Sequence, residues 1–292
     1  MVKFLIVNEW IHHKNRLALE RMLKYLNYDY MYGDANTENI KNNDIIYIAS
    51  HIIDIYKYPN KFFIFGPHLS VFPDHRIEIL KDRKNCIYIQ PSDWTTNVWR
   101  SIGVEKYVRM KTLPFSVDVN KFTPGENKSN VFVYIKRRDP NEIGYLYKFL
   151  NKFSINYHEF NYVKGYTENN YLDYLKTCKF GIILGAHESQ GFAIEEALSC
   201  DVPLLVWNTK TMNQEYRSSY SNIECTTIPY WDERCGEYFY YNYELEDAYL
   251  QLTSGLLNKK YKPREFILEN LTDEKCGEKM KAIISEFCIK TD

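Results

Sequence analysis

Residues 179–208 read KFGIILGAHESQGFAIEEALSCDVPLLVWN, and the fold is read outward from them. Phe180 to Leu184 is an apolar run with the length and character of a buried strand. Gly185 to Gly191 is a loop. Phe192 to Ser199 has helical apolar spacing, and Val202 to Trp207 is a second strand-like run. Strand, loop, helix and strand in this order make a parallel βαβ unit, because parallel neighbours need a crossover connection. The loop carries Glu188 and the helix carries Glu196, with seven residues between them.

The alternation continues on both sides. Upstream, Val131 to Ile135 reads as a strand that runs into Lys136-Arg137-Arg138-Asp139-Pro140. A helical segment follows to about Phe153, then a short strand near Asn156 to Phe160 and a helix over residues 168–177. Downstream, Cys225 to Pro229 reads as a strand and Tyr230 to Gly236 as a loop. Helices are expected at Glu244 to Leu257, Arg264 to Leu271 and Asp273 to Phe287. The front of the chain holds a similar series. Met1 to Val7 is a strand-length apolar run that ends at the polar loop Asn8-Glu9-Trp10. Residues 15–27 carry apolar positions Leu17, Leu19, Met22, Leu23 and Leu26 at helical spacing. Asp44 to Ala49, Lys61 to Phe65 and Asn85 to Ile89 read as strands. Ser92 or Asp93 caps a helix whose stripe is Trp94, Val98, Trp99 and Ile102.

Between the two series, prolines at 114 and 124 bracket an apolar stretch, and Gly125 to Asn130 is polar and turn-forming. The expected domains are therefore 1–120 and 121–292, with the last helix able to pack back on the first. Strands alternate with helices in both, which predicts α/β architecture: two doubly wound Rossmann-like domains facing across a cleft.

The loop before Phe192 has the chemistry of an anion site. The start of a helix exposes backbone N–H groups and the positive end of the helix dipole. Ser189, Gln190 and Gly191 sit there with Phe192 as the first helical residue, and Gly191 lets backbone approach closely. Such a site suits a diphosphate. Glu196, inside the helix, suits vicinal hydroxyls such as those of a ribose. Glu188 faces what lies beyond the phosphates. Lys136, Arg137 and Arg138 are placed to neutralise a diphosphate as its charge grows. Two glutamates at a fixed spacing arise by chance in a chain this rich in Glu, and a basic run is most often a solvated face. The order carries the signal: proline-bracketed hinge, basic strand end, then βαβ with Glu on both sides of a Gly turn. In the front half, ligands gather at strand carboxyl ends, so the Glu9 loop and His68, after Phe65-Gly66-Pro67, are candidates.

Pro114-Phe115-Ser116-Val117-Asp118 with Phe122-x-Pro124 resembles the P-x-G-V-D-x-x-x-F-x-P hinge of family-four retaining glycosyltransferases of GT-B fold. Glu188 to Glu196, enclosing Gly191-Phe192 and ending in Glu196-Ala197-Leu198, resembles their E-x7-E motif. Val202-Pro203 also matches, with Asp201 at the usual Gly position. The resemblance is strongest over residues 110–208. It implies that the C-terminal domain holds a nucleotide-sugar donor. Glu196 would then bind the ribose, Glu188 the donor sugar, and Lys136 or Arg137 the diphosphate. The N-terminal domain would take the acceptor, with His68 near the reacting sugar. The chain departs from the pattern at Ser116, where Gly is usual. It also lacks a Gly-rich loop after the first strand, and Lys136-Arg137-Arg138 replaces the usual G-R…K pair.

Composition excludes other classes. Lys+Arg number 37 and Asp+Glu 38, so nothing attracts nucleic acid in general. Residues 1–120 hold 16 basic against 13 acidic side chains and residues 121–292 hold 21 against 25. That mild excess is compatible with peripheral membrane contact by the front half. Seven cysteines, at 86, 178, 200, 225, 235, 276 and 288, show no C-x-x-C spacing, as expected of reduced thiols in a cytoplasmic protein. No Asp-x-Asp motif occurs, so no metal ligand and no required cofactor are assigned. The resulting expectation is a metal-independent retaining transferase. It moves a hexose from a UDP- or GDP-sugar to a glycan, lipid or protein-linked acceptor. The alternative is a catalytically degenerate nucleotide-sugar-binding or assembly protein of the same fold. The sequence assigns no oligomeric state.

Overall fold

The structure, a computed structural model, describes residues 2–288. Met1, which opens the first apolar run, and the side chain of Cys288, one of the seven cysteines, lie outside that description. The chain forms two compact units. One runs to Ser116 and resumes at Leu271, and the other is Val117–Asn270.

The first unit contains β1 (Lys3–Val7), α1 (His13–Tyr25), β2 (Asp29–Gly33), α2 (Thr37–Asn42), β3 (Ile45–Ile48), β4 (Phe62–Phe65), β5 (Cys86–Gln90), α3 (Asp93–Ser101) and β6 (Arg109–Thr112). The strands form one six-stranded sheet in the order β2-β1-β3-β4-β5-β6, and every pairing is parallel. Strands β3, β4 and β5 are buried along their whole length. They therefore read as unbroken apolar runs, as strands covered on both faces do. Strands β2 and β6 had no such signature in the sequence. They are the two edges of the sheet, and four of the five β2 residues are exposed. At Gly66, where φ is +95°, a Cβ would lie 2.5 Å from the carbonyl oxygen of Ile89, so only glycine fits this turn at the end of β4.

The second unit contains β7 (Asn130–Ile135), α4 (Pro140–Lys152), β8 (His158–Asn161), α5 (Glu168–Leu175), β9 (Cys178–Leu184), α6 (Phe192–Ser199), β10 (Leu204–Trp207), β11 (Gly236–Phe239), α7 (Leu245–Leu257) and α8 (Pro263–Asn270). Its five strands are ordered β8-β7-β9-β10-β11, again all parallel. Helix starts follow local chemistry. Asp139 accepts from the Asn141 N–H ahead of Pro140 in α4, and Thr167 accepts from the Asn170 N–H at α5. The core packs Val131, Val133, Ile135, Phe180, Ile182, Leu184 and Leu205 of the sheet against Leu146, Phe149 and Leu150 of α4 and Leu252 of α7.

Two expectations change. The boundary falls after Ser116 rather than after residue 120, and the last helix, α9 (Asp273–Cys288), belongs with the first unit, as the expectation allowed. The reason is packing on α1. Arg21 Nε donates to Asp273 Oδ1 at 3.0 Å, and a Cβ at Gly277 would come within 3.0 Å of the Tyr25 ring. The apolar run Cys225 to Pro229 is also not a strand; the fifth strand is β11. That run is buried, but its backbone is satisfied by other means. Asn208 Oδ1 accepts from the Thr227 N–H at 2.7 Å. The Cys225 N–H donates to the Lys210 carbonyl at 2.9 Å, and the Thr226 carbonyl accepts from the Glu188 N–H at 3.0 Å.

In both sheets the first strand lies between the second and the third, so strand order reverses there. Crevices at the carboxyl ends of such strands are where doubly wound folds bind ligands. In the first unit the reversal is between β1 and β3, and in the second between β7 and β9.

Candidate functional site

In the second unit, the residue after β7 is Lys136 and the loop after β9 carries Glu188. The Lys136 N–H donates to the Leu184 carbonyl at 3.0 Å, which ties the two strand ends together. Lys136 Nζ meets Glu188 Oε1 at 2.7 Å and Oε2 at 2.9 Å. Both side chains are mostly buried, 20% and 15% exposed. Burial lowers the lysine pKa, but the Glu188 carboxylate outweighs it and the net shift is upward, so Lys136 is a cation here. Its ammonium also stands 4.7 Å from the centre of the Tyr162 ring.

Arg137 turns away from the strand in the left-handed region, at φ +47°. That conformation is costly for a residue with a Cβ and tends to mark functional turns. The arginine is more than half exposed and donates from Nη1 to Glu215 Oε1 at 2.7 Å. Its carbonyl accepts from the Tyr216 N–H at 2.8 Å. His187 Nδ1 approaches Glu215 at 3.5 Å. Burial is the largest influence on that imidazole and lowers its pKa, which keeps it neutral. Arg137, Asn161, Lys164, Glu215 and Tyr216 line a pocket of about 700 Å³.

Arg138 is the correction to the expected anion cluster. It is 1% exposed. Nε and Nη2 donate to the Glu142 carboxylate at 2.7 and 2.8 Å, and Nη1 donates to the carbonyls of Gly185 and Trp207, each at 3.0 Å. Four of five donors are thus used, two on Glu142 of α4 and two on carbonyls at the ends of β9 and β10. Arg138 therefore sits in the frame of the unit, whereas Lys136 and Arg137 are the less buried cations of the run.

Helix α6 starts at Gly191, φ +92°, with Phe192 as its first residue. Glycine supplies no side-chain capping oxygen, and the Ile194 and Glu195 N–H groups donate to the Gly191 carbonyl at 2.9 and 3.0 Å. Ser189 is exposed. Gln190 is buried instead, and its amide donates to Glu195 Oε1 at 2.8 Å, so it braces the loop. Glu196 is buried within α6. Tyr166 reports how Glu188 and Glu196 relate. Burial pushes its phenol up to about 12, and the Glu196 and Glu188 carboxylates both add to the rise. Sequence reading missed Tyr166, Tyr162, Glu215 and Asn208.

In the first unit, the crevice between β1 and β3 holds Glu9 and His51. Glu9 Oε1 accepts from the Ser50 N–H at 2.8 Å, and Oε2 meets His51 Nδ1. His68 follows β4, and its backbone N–H donates to the Ala49 carbonyl at 2.8 Å. Its Nε2 faces the Asn15 amide at 3.2 Å and the His12 N–H at 3.4 Å. Nε2 is therefore the accepting nitrogen, and the proton resides on Nδ1. Burial first, then the neighbouring His12, lower its pKa to about 4. Among the described residues, no group of three or more His, Cys, Asp or Glu is placed to hold a metal, and no helix is long and apolar enough to cross a membrane.

Two parallel Rossmann-like sheets with these strand orders define the GT-B fold, the fold of many glycosyltransferases. Solved structures bear this out. The chain is similar to a sucrose-phosphate synthase from Thermosynechococcus elongatus, with a TM-score of 0.61 and 9% identity over 100% of both chains. It is similar to TarM, with a TM-score of 0.53 and 16% identity over 89% of this chain and 57% of that one. It is also similar to WaaG, a glycosyltransferase involved in lipopolysaccharide biosynthesis, with a TM-score of 0.50 and 11% identity over 97% and 99% of the two chains. At these identities the likeness establishes the fold. No protein-family model matches the chain, and no curated protein sequence matches it.

Proposed function

We propose that the chain is a retaining glycosyltransferase. It moves a hexose from a UDP- or GDP-sugar to an acceptor hydroxyl on a glycan, lipid or protein. The Lys136–Glu188 pair at the β7/β9 crevice, in the loop that leads to the start of α6, carries this reading. A diphosphate placed there meets Lys136, Arg137 and the first-turn N–H groups together. It would draw the Lys136 ammonium from Glu188 and leave that carboxylate to the hydroxyls of the donor sugar. Buried Glu196 would take the ribose. As the bond from the anomeric carbon to phosphate breaks, the growing charge on the diphosphate is held by cations already in place, and no metal is needed for that step. The acceptor proton passes to the departing phosphate, with attack from the same face. A cytoplasmic location, with peripheral membrane contact when the acceptor is a lipid, fits this reading.

The test is a thermal-shift and titration screen over UDP, GDP and their sugars, followed by NMR of the product anomer. A stabilising nucleotide-sugar, lost in Lys136→Ala and Glu196→Ala, and a product of unchanged anomeric configuration are expected. An inverted product removes the same-face mechanism. Saturable binding with no turnover on any acceptor makes the chain a binding protein. No binding to any nucleotide-sugar ends the reading altogether.

A further inference from the structure

We propose that β2 is a self-pairing edge. Two copies of the chain join their first-unit sheets antiparallel along it, with a twofold axis at Met31. The inference stands apart from the proposed function and rests on the backbone register of the sheet.

Strand β2 reads Asp29-Tyr30-Met31-Tyr32-Gly33 and forms one side of the six-stranded sheet. It pairs with β1 in parallel, from Lys3 opposite Asp29 to Val7 opposite Gly33. The Asp29 N–H donates to the Val2 carbonyl at 3.0 Å, and the Gly33 carbonyl accepts from the Asn8 N–H at 2.9 Å. Residues 29, 31 and 33 therefore turn their backbone groups toward β1. Alternation along the strand turns those of Tyr30 and Tyr32 the other way. Among the described residues, no strand lies beyond them.

The spacing of these open groups decides what fits. Antiparallel strands exchange two hydrogen bonds at every second facing pair. A pairing centred on Met31 sets Tyr30 of each copy opposite Tyr32 of the other. All four outward N–H groups then meet the four outward carbonyls. A centre at Tyr30 or Tyr32 would pair only one open residue of β2 with its copy and carry the other past the end of the strand. Asp29 falls opposite Gly33, so like charges do not face each other. Tyr30 and Tyr32 share one face of the sheet, with ring centres 6.3 Å apart and edge to face. The pairing brings the same two rings of the second copy beside them. Contacts of this kind, the same patch on both partners, are what a twofold dimer requires.

Charge separates this edge from the others. Natural sheets guard their edges with charged side chains, lysine above all. Strand β6 carries Arg109, whose guanidinium lies 4.0 Å from the centre of the Phe287 ring, and Lys111, which pairs with Glu286. In the second unit, β8 carries Glu159, and β11 carries Glu237, which pairs with Lys260. The three central residues of β2 are uncharged, and Tyr30, Met31 and Tyr32 are 41%, 43% and 38% exposed. A five-residue contact is smaller than the standard interface of about 800 Å² per partner. A reversible dimer with a Kd of about 10–100 µM is therefore expected.

The test is sedimentation velocity on the full chain, from well below to well above that Kd. The mass should rise from 34.9 kDa toward twice that value. Met31→Lys sets two ammonium groups face to face at the axis and should weaken the dimer by about fivefold or more, with an unchanged urea midpoint. Cysteine linkage reads the register, in a Cys288→Ser parent whose described cysteines are all buried. At the axis the facing Cα atoms stand about 4.5 Å apart, within reach of a disulfide. Mild oxidation should link Met31→Cys to itself. Tyr30→Cys alone should stay unlinked, and a mixture of Tyr30→Cys with Tyr32→Cys should link. A chain that stays monomeric at the highest concentration overturns the proposal and leaves the edge to a strand of another protein. A dimer that Met31→Lys leaves intact, or linkage by Tyr30→Cys alone without linkage by Met31→Cys, also overturns it. If Met31→Lys fails to fold, the linkage pattern decides.

Discussion

A double-mutant cycle on Lys136 and Glu188 tests the pair that organises the second unit. The ammonium lies 2.7 and 2.9 Å from the two carboxylate oxygens. At an effective dielectric near 20, charges this close attract by about 6 kcal/mol. Desolvation of two largely buried groups offsets much of that, so a coupling of about 1–3 kcal/mol in unfolding free energy is expected. Removing one partner is worse than removing both, because the survivor is left charged and poorly hydrated. Lys136→Ala and Glu188→Ala should each cost about 2–4 kcal/mol, and the double variant less than their sum. Urea unfolding of the four proteins measures this. The same variants should separate in ligand binding. Lys136→Ala loses a charge-assisted contact to phosphate, so UDP affinity falls about 10- to 150-fold. Glu188→Ala releases the lysine and should bind UDP at least as tightly as the wild type. A coupling below about 0.5 kcal/mol would show that solvent screens the pair. Weaker UDP binding in Glu188→Ala would refute the view that phosphate and Glu188 compete for one ammonium.

Further outcomes follow from the same geometry. His68 titrates near 4 in the folded protein against about 6.5 when unfolded. The unfolded chain therefore binds the extra proton first, and stability is lost as pH falls from 6.5 toward 4, by at most about 3 kcal/mol. His68→Asn should flatten that part of the curve in urea melts, and an unchanged slope would assign it elsewhere. Arg138→Met should destabilise by about 3–5 kcal/mol by stranding Glu142 and the Gly185 and Trp207 carbonyls. A loss of UDP affinity with unchanged stability would instead return Arg138 to the anion site. Gly191→Ala forces a Cβ into φ +92° and should cost about 1–3 kcal/mol, with weaker phosphate binding measured by titration. Asn208→Ala removes the acceptor for the Thr227 N–H and should cost about 1–3 kcal/mol. Through the Thr226 carbonyl that holds the Glu188 N–H, it should also raise KM for the donor.

The sequence by itself determined the elements and their alternation. Buried strands such as β3, β4, β9 and β10 are continuous apolar runs because both their faces are covered, and α6 begins at Gly191 because a left-handed turn there needs no Cβ. These causes act within a few residues, so they are legible in order along the chain. The partners were decided elsewhere. Lys136 meets Glu188 across 52 residues and Glu9 meets His51 across 42, because each first strand lies between the second and the third, and strand order is not a local property. Edge strands β2 and β6 carry no apolar signature because one side of each is open. Cys225 to Pro229 carries one without being a strand, because Asn208 and Glu188 satisfy its backbone in place of a neighbouring strand. Arg138 has the same charge and the same address as Arg137. Only the tertiary structure, by burying its guanidinium against Glu142 and two carbonyls, separates the residue that holds the frame from the one whose side chain is more than half exposed.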